Sequence, residues 1–443
     1  MGRGMACQLS SPWWQVHRSL SCHQNPVGPF QHEARRVPSS PHHLAETLEN
    51  PRVLCPRCTA EAVGYKEVEL EGIKMEKTMV AARLHALGTP MSLDTIPIPT
   101  PRPNDVLVRV KACGIVPNMA NVINNWPKWF PHQPLPKFPA IFGLDPAGVV
   151  AEVGEAVLNV KPGDRVYVSP LRSCGSCKAC RSGYRSHCRY FTLNGYFSTS
   201  RDGQRIFDLY PYGGFSEYMT APDYAIVNIP DNLTFEQAGR FGYLGTSYGA
   251  LKNAGAGSGQ VAFIDGITGT LGVAATVLGL AMGLSRILGT GRDEGLLSRV
   301  KAIAPDRIEV MKLGSGSSGE WAKSFTGGEG VDFVISALGA KAPASTMLDS
   351  MKGVRRGGKV VNVGGVAEDL PIDVKWLMDE QVQLIGSNWF TGAQGQEMAE
   401  MVRTGAIDLS YLQHKIFPLA RVNEAISDLM DRDGGFSNYI VAP

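Results

Sequence analysis

Four cysteines crowd into one short segment, Cys174-Gly-Ser-Cys177-Lys-Ala-Cys180 and then, seven residues on, Cys188. Four thiolates at this spacing suit a closed tetrahedral zinc with no open position for a substrate. A four-cysteine iron–sulfur cluster is the alternative chemistry for the same donors. The other five cysteines (7, 22, 55, 58 and 113) are scattered. Clustering of this kind speaks for metal binding in a reducing compartment rather than for a disulfide framework. Cys55-Pro-Arg-Cys58 is an isolated pair that makes no site by itself.

A second chemistry is written in Gly266-Ile-Thr268-Gly269-Thr270-Leu-Gly272, which follows the apolar run Val261-Ala-Phe-Ile. Glycines in a strand–turn–helix context let a backbone approach a pyrophosphate closely and aim a helix N-terminus at it. Gly266, Thr268, Gly269, Thr270 and Gly272 are therefore candidate cofactor-binding residues. At the end of the next strand, Arg286-Ile-Leu-Gly-Thr-Gly291-Arg292, the acid that would bond a ribose 2′-hydroxyl is replaced by Gly291. Arg292 follows, and a guanidinium there pairs with a 2′-phosphate. The reading favours NADPH over NADH. The competing reading leaves Arg292 as a solvated charge and gives the role to Asp293.

These motifs need elements to hold them. Near Met79 the pattern becomes β-like, with Val106, Val108 and Val110 alternating onto one face. TIPIPTPRPND reads as a loop, and residues 147–154 and 164–168 continue a β-rich region. From about residue 232 apolar strands alternate with helical stretches, the succession of a parallel sheet with crossover helices. The expected organisation is a poorly ordered extension over 1–75, a catalytic domain over 76–230 with the cysteine lobe at 172–190, a dinucleotide domain over 231–385, and a return to the first domain over 386–443. Arginines in the extension hint at a mitochondrial presequence, but Pro12, Pro26 and Pro29 break the helix such a signal needs. A disordered tail, or a start assigned upstream of Met75 or Met79, is the plainer expectation, and it gives a cytoplasmic protein.

Lys and Arg number 43 against 41 Asp and Glu, a net charge of +2, which makes no electrostatic case for nucleic acid or an anionic membrane. The longest apolar run, Val273 to Leu284, is too short to span a bilayer and reads as a buried helix.

Residues 79–443 resemble the medium-chain dehydrogenase/reductase superfamily, in its zinc-containing alcohol dehydrogenase branch. The resemblance rests on VLVRVKACGI, GLDPAGVVAEVG, KPGDRV, the cysteine lobe, GGFSEY (213–218), GTSY (245–248) and the glycine turn, in family order. It implies an α/β fold: a GroES-like β-barrel catalytic domain with an inserted Rossmann domain, a doubly wound parallel sheet. Hydride transfer to or from a small molecule is implied at the cleft between them. It also implies one structural zinc on Cys174, Cys177, Cys180 and Cys188, and Thr246 beside the nicotinamide ring. Family members commonly pair through the edge of the Rossmann sheet, so a homo-oligomer is expected, with QVQLIGS (381–387) as that edge.

The chain departs from the family at its second, catalytic zinc. The three ligand positions are occupied by Val116, Leu144 and Gly242, and none of these side chains ligates zinc. A rescued site would have to draw on Asp145, His132 or Cys113, though Cys113 reads better as a packing residue. Without zinc, a conjugated double bond is a better hydride acceptor than a simple carbonyl, since charge spreads to an enolate oxygen that hydrogen-bond donors can hold. The expected function is NADPH-dependent reduction of an α,β-unsaturated double bond. The alternatives are an alcohol dehydrogenase or carbonyl reductase, and a catalytically silent NADPH-binding protein. Candidate catalytic residues are Asn118, Tyr243 and Thr246. The aromatic stretch Asn124–His132, with Trp389 and Phe390, suggests a bulky apolar substrate, and the tyrosines of Arg189–Pro211 suggest a lid.

Overall fold

The computed structural model describes residues 77–443. The readings made for residues 1–75, including the presequence, the upstream start and the Cys55–Cys58 pair, lie outside the described residues.

The valine-rich strand Asp105–Gly114 is the spine of the first sheet. It pairs antiparallel with Asp145–Val153 on one side and, at its far end, with the C-terminal strand Ser437–Ala442 on the other. The sheet continues through Arg165–Val168 to Ile226–Asn228, and beyond Ser437–Ala442 to Gln413–Pro418. The last residues of the chain thus complete the sheet to which Asp105–Gly114 contributes the earliest strand. Val106, Val108 and Val110 are buried together, as their alternation requires.

One expected loop is partly a strand. Ser92–Pro97 pairs antiparallel with Thr78–Leu84, so Thr95, Ile96 and Pro97 of the proline-rich link belong to a small three-stranded sheet. The strand lies at the sheet's edge and its proline is terminal, where a missing N–H costs no ladder bond.

The second sheet is six-stranded and parallel throughout. Its order is Ile308–Lys312, Arg286–Gly291, Val261–Asp265, Val331–Ser336, Val354–Asn362, Gln383–Gly386. The chain starts in the middle, winds to one edge and then to the other, which is the doubly wound dinucleotide-binding topology. Phe263, Leu288, Val334 and Val360 are wholly buried at its centre, as strands covered on both faces must be. The run from Val273 lies in the helix Thr270–Ala281, buried against the sheet. Gln383–Gly386 is one edge of the sheet and Ile308–Lys312 the other. Among the described residues no helix is long and apolar enough to cross a membrane.

Candidate active site and metal centre

The strand Val261–Asp265 ends in Gly266, whose φ of +79° makes the turn. Gly269 caps the following helix and Thr270 opens it. A side chain at Gly272 would put its Cβ 2.3 Å from the Gly266 carbonyl oxygen, so only glycine lets helix and turn press together. Thr268 lies between them, and its carbonyl accepts the Gly435 N–H at 2.9 Å. The five candidate cofactor residues form one continuous cradle at a helix N-terminus, and the fit to a pyrophosphate rests on that close packing.

At the neighbouring strand end Gly291 has no room for an acid: its Cβ would stand 2.8 Å from Thr268 Cγ2 and 3.0 Å from Leu297 Cδ2. The acids nearby are engaged. Asp293 caps the helix Glu294–Ile303, accepting the Leu296 N–H at 2.8 Å, and Glu294 pairs with Lys312 at 2.9 Å. Arg292 is exposed and has no ion pair among the described residues. Asp265 is not among the sequence candidates, although an acid ending an apolar run just before a glycine turn is a signal. It is fully buried, accepts Thr290 Oγ1 and Ser350 Oγ at 2.8 Å each, and is pushed up to about 6 by burial.

The four cysteines converge. All four Sγ atoms lie within 4.8 Å of one another, with Cys177–Cys180 at 3.5 Å and Cys174–Cys188 at 3.6 Å. Zinc–sulfur bonds of about 2.3 Å in a tetrahedron set sulfur–sulfur edges near 3.8 Å, so the donor set fits a zinc ion. Backbone N–H groups of Cys174 and Tyr190 point at Cys188 Sγ from 3.5 and 3.4 Å. Burial raises the Cys174 thiol, but backbone N–H groups of Ser176 and Cys177 outweigh it and lower the group, while burial pushes its neighbour Cys188 up, so the pair shares a proton unevenly. Among the described residues this is the one cluster of three or more histidine, cysteine or acidic side chains close enough to share a metal.

The family's other metal position is built differently. Val116 and Leu144 are buried, and Gly242 lies in the first turn of the helix Phe241–Ala254. A Cβ built on Gly242 would fall 2.1 Å from Asp145 Oδ1 and 2.5 Å from Oδ2. The space of the third ligand is thus taken by the Asp145 carboxylate. That carboxylate accepts Tyr167 Oη at 2.8 Å and the Gly242 N–H. Burial, only partly offset by these bonds and by the Arg240 charge, pushes Asp145 up to about 7. Cys113 is buried beside it, and its thiol is pushed up by burial and the Asp145 charge. His132 is not brought in. It sits exposed and bonded to Arg201, whose Nε lies 3.1 Å from its Nδ1, so the three residues considered for a rescued metal site do not assemble.

Asn118 and Tyr243 do come together, and Tyr196 joins them. Tyr196 is 6% exposed, its hydroxyl meets the Asn118 amide, and it shares an electrostatic environment with Tyr243 and Asp145. Burial holds both phenols well above the ordinary tyrosine range, so both carry their protons at neutral pH. Thr246 lies one turn further along the same helix as Gly242, and its hydroxyl donates to the Gly242 carbonyl at 2.7 Å.

Three expectations change. The segment Arg189–Pro211 delivers only Tyr196. Tyr190 lies under Arg189 and Arg205, while Tyr210 bonds Asp105 at 3.1 Å with Arg102 stacked on it, so the tyrosines form no common lid. The aromatic stretch is mostly the helix Met119–Trp129, which can turn only some of its rings inward. Trp126 is buried and stacks on Phe197 at 4.2 Å, whereas Trp129 and Phe130 are exposed. Phe130 lines an outward groove of about 700 Å³ that none of Asn118, Tyr196 or Tyr243 reaches. Phe390 packs into the core against Gly245, leaving Trp389 half-buried between the two sheets' cores.

Comparison with known proteins agrees with this architecture. Residues 102–231 match the family described as "Alcohol dehydrogenase GroES-like domain", and residues 270–405 match "Zinc-binding dehydrogenase". An alcohol dehydrogenase of Geobacillus stearothermophilus is 32% identical over 355 residues, 80% of this chain and 96% of that protein. A quinone oxidoreductase of Homo sapiens is 27% identical over 380 residues, 83% of this chain and 98% of the relative. A solved zinc-binding dehydrogenase of Sinorhizobium meliloti 1021, bound to NADP, superposes with a TM-score of 0.68 at 26% identity, covering 83% of this chain and all of that one. The chain belongs to the medium-chain dehydrogenase/reductase superfamily, in its zinc-containing alcohol dehydrogenase branch, and is an NAD(P)-dependent oxidoreductase acting on a small molecule.

Proposed function

We propose that this protein is an NADPH-dependent reductase of activated, α,β-unsaturated double bonds in an apolar substrate, with one structural zinc and no catalytic zinc. The observation that carries the reading is the Asp145 carboxylate lying in the side-chain space of Gly242. With Val116 and Leu144 as the other two ligand positions, that place offers hydrogen-bonding groups and a protonatable carboxyl instead of a Lewis acid.

A bound reduced nicotinamide supplies a hydride. The chain's own residues do the rest. Thr246 would border the ring, and with its hydroxyl tied to Gly242 its methyl is left to pack there. Tyr196 and Tyr243, both protonated, donate to the substrate oxygen on which negative charge develops. The Asn118 amide fixes the Tyr196 hydroxyl. A proton completes the reduction at the α-carbon, and the buried carboxyl of Asp145 keeps one in the vicinity up to about pH 7. Arg292, which has no ion pair among the described residues, would hold the 2′-phosphate. A second reading, oxidation of alcohols or reduction of carbonyls, is favoured by the Geobacillus stearothermophilus relative's name.

The test combines metal analysis with a substrate screen. One zinc per chain and faster NADPH oxidation with enones or quinones than with aldehydes and ketones support the proposal. Two zincs per chain, or turnover confined to alcohols and aldehydes, overturn it. The sheet edge Gln383–Gly386, with Leu384 exposed, is where we place a contact between copies of the chain.

A further inference from the structure

Arg240 precedes the helix Phe241–Ala254 and is only 6% exposed, yet no carboxylate among the described residues pairs with it. Its Nη2 donates to the Gly435 carbonyl at 3.3 Å, and its guanidinium carbon lies 5.5 Å from the Tyr243 ring centre. Asp145 is in its field but already accepts from Tyr167 and Gly242. Burial pulls the guanidinium below its ordinary range, and the charge of Arg432 adds to that. Arg432 is exposed and among the described residues makes one bond, from Nη1 to the Leu429 carbonyl at 3.3 Å. The acid beside it, Asp433, is taken by Arg299. Two guanidinium groups therefore share one neighbourhood without a dedicated counter-charge. A buried cation left in this state is costly, and a bound anion would relieve it.

The position of the pair says which anion. The Gly435 whose carbonyl Arg240 holds donates its own N–H to Thr268 in the glycine turn. Side chains at Gly434 and Gly435 would sit 2.6 and 2.5 Å from the carbonyl oxygens of Thr268 and Gly269, so this loop lies directly on the turn. Arg240 thus stands between Tyr243, at the reacting end, and the cradle that takes a pyrophosphate. We propose that Arg240 and Arg432 clamp the diphosphate bridge of the dinucleotide, closing over it from the side opposite the helix N-terminus. The proposal rests on dinucleotide binding at the Gly266–Gly272 turn but not on the preference for NADPH, because both cofactors carry the same bridge.

The test titrates full-length wild type, Arg432→Met and Arg240→Met with NADPH, NADH and ADP-ribose, which has the diphosphate but no nicotinamide. Each variant is expected to weaken all three ligands by about tenfold or more, the loss shrinking as salt rises. Arg432 is on the surface, so its variant keeps the test valid if Arg240→Met does not fold; melting curves check both. ADP-ribose affinity within about twofold of wild type in the folded variants overturns the clamp. So does unchanged cofactor binding with only the substrate KM raised, which would give the pair to the substrate. The NADPH reading fails separately, on the wild-type ratio of NADPH to NADH affinity, which this pair does not set.

Discussion

The catalytic domain has two places where its family binds metal, and they have been resolved in opposite ways. In the Cys174–Cys188 lobe four sulfurs lie within 4.8 Å, and backbone N–H groups of Cys174 and Tyr190 point at Cys188 Sγ. At Val116, Leu144 and Gly242 no side chain can ligate, and a carboxylate with a pKa of about 7 fills part of the space. The first arrangement gathers four sulfur donors around one point, where a metal ion would bind all of them at once. The second buries one carboxyl and lets a proton relieve it. A site that has lost a metal is thus not empty: its volume and its charge problem pass to whichever residue moves in.

Loss of one sulfur is the largest expected effect. Cys180→Ser should release the metal, taking zinc content from about one to near zero per chain, and should cost several kcal/mol of stability in the lobe. Metal analysis and thermal unfolding check both. If zinc and melting temperature are unchanged, the lobe is not a metal centre and the contrast collapses.

The other side of the contrast breaks at Gly242. A methyl there meets the Asp145 carboxylate at 2.1 Å, and both sit among buried groups that cannot easily give way. Gly242→Ala should destabilise the chain by about 1–3 kcal/mol through overpacking and lower kcat/KM sharply. A well-folded, fully active variant would mean that Asp145 does not occupy this space.

Asp145 also gives the contrast a pH signature. Folded, it keeps its proton up to about 7; unfolded, it ionises near 3.9. Between those values the folded state binds more protons, so its contribution makes stability fall as pH rises through that window. Asp145→Asn removes this contribution. Between pH 5 and 8 the wild type should lose stability relative to the variant by on the order of 2 kcal/mol, read from paired melting curves. Parallel curves would show that the carboxyl is not desolvated as described. A smaller effect is expected at the phenols. Tyr243→Phe should lower kcat/KM about 10- to 100-fold with little change in melting temperature.

The sequence announced these two regions unequally. The cysteine lobe is encoded within one short stretch, so spacing alone exposes it. The glycine turn is equally local, and its five candidate residues fall in one cradle. The altered metal site is spread over three distant segments, and reading Val116, Leu144 and Gly242 as missing ligands required the family pattern. What replaced the metal was not legible. Asp145 was named only as a possible ligand, and its contact with Gly242 depends on how a barrel strand meets a helix of the second domain. Tyr196 was hidden among tyrosines with different fates, because an irregular segment carries no periodicity to say which ring turns inward. Nothing in the sequence marks Arg240: its burial, and its lack of an acid partner among the described residues, arise from the tertiary fold.

Arg292 tests whether the cofactor end follows the same logic as the altered metal site. There a glycine is explained by the neighbour that fills its space. At Gly291 the neighbours are Thr268 and Leu297, and an acid has no room between them. Asp293 cannot serve instead without giving up its cap on the helix Glu294–Ile303. The guanidinium of Arg292 is then the charge left to meet a 2′-phosphate, worth about 1.5–3 kcal/mol as a charge-assisted bond and less at so exposed a position. Arg292→Gln should therefore weaken NADPH by about tenfold or somewhat less and leave NADH unchanged, since only the former carries that phosphate. Equal weakening of both cofactors would mean that Arg292 supports the fold of this strand end. No weakening of either would leave it a solvated charge, and glycine at 291 would then reflect packing alone.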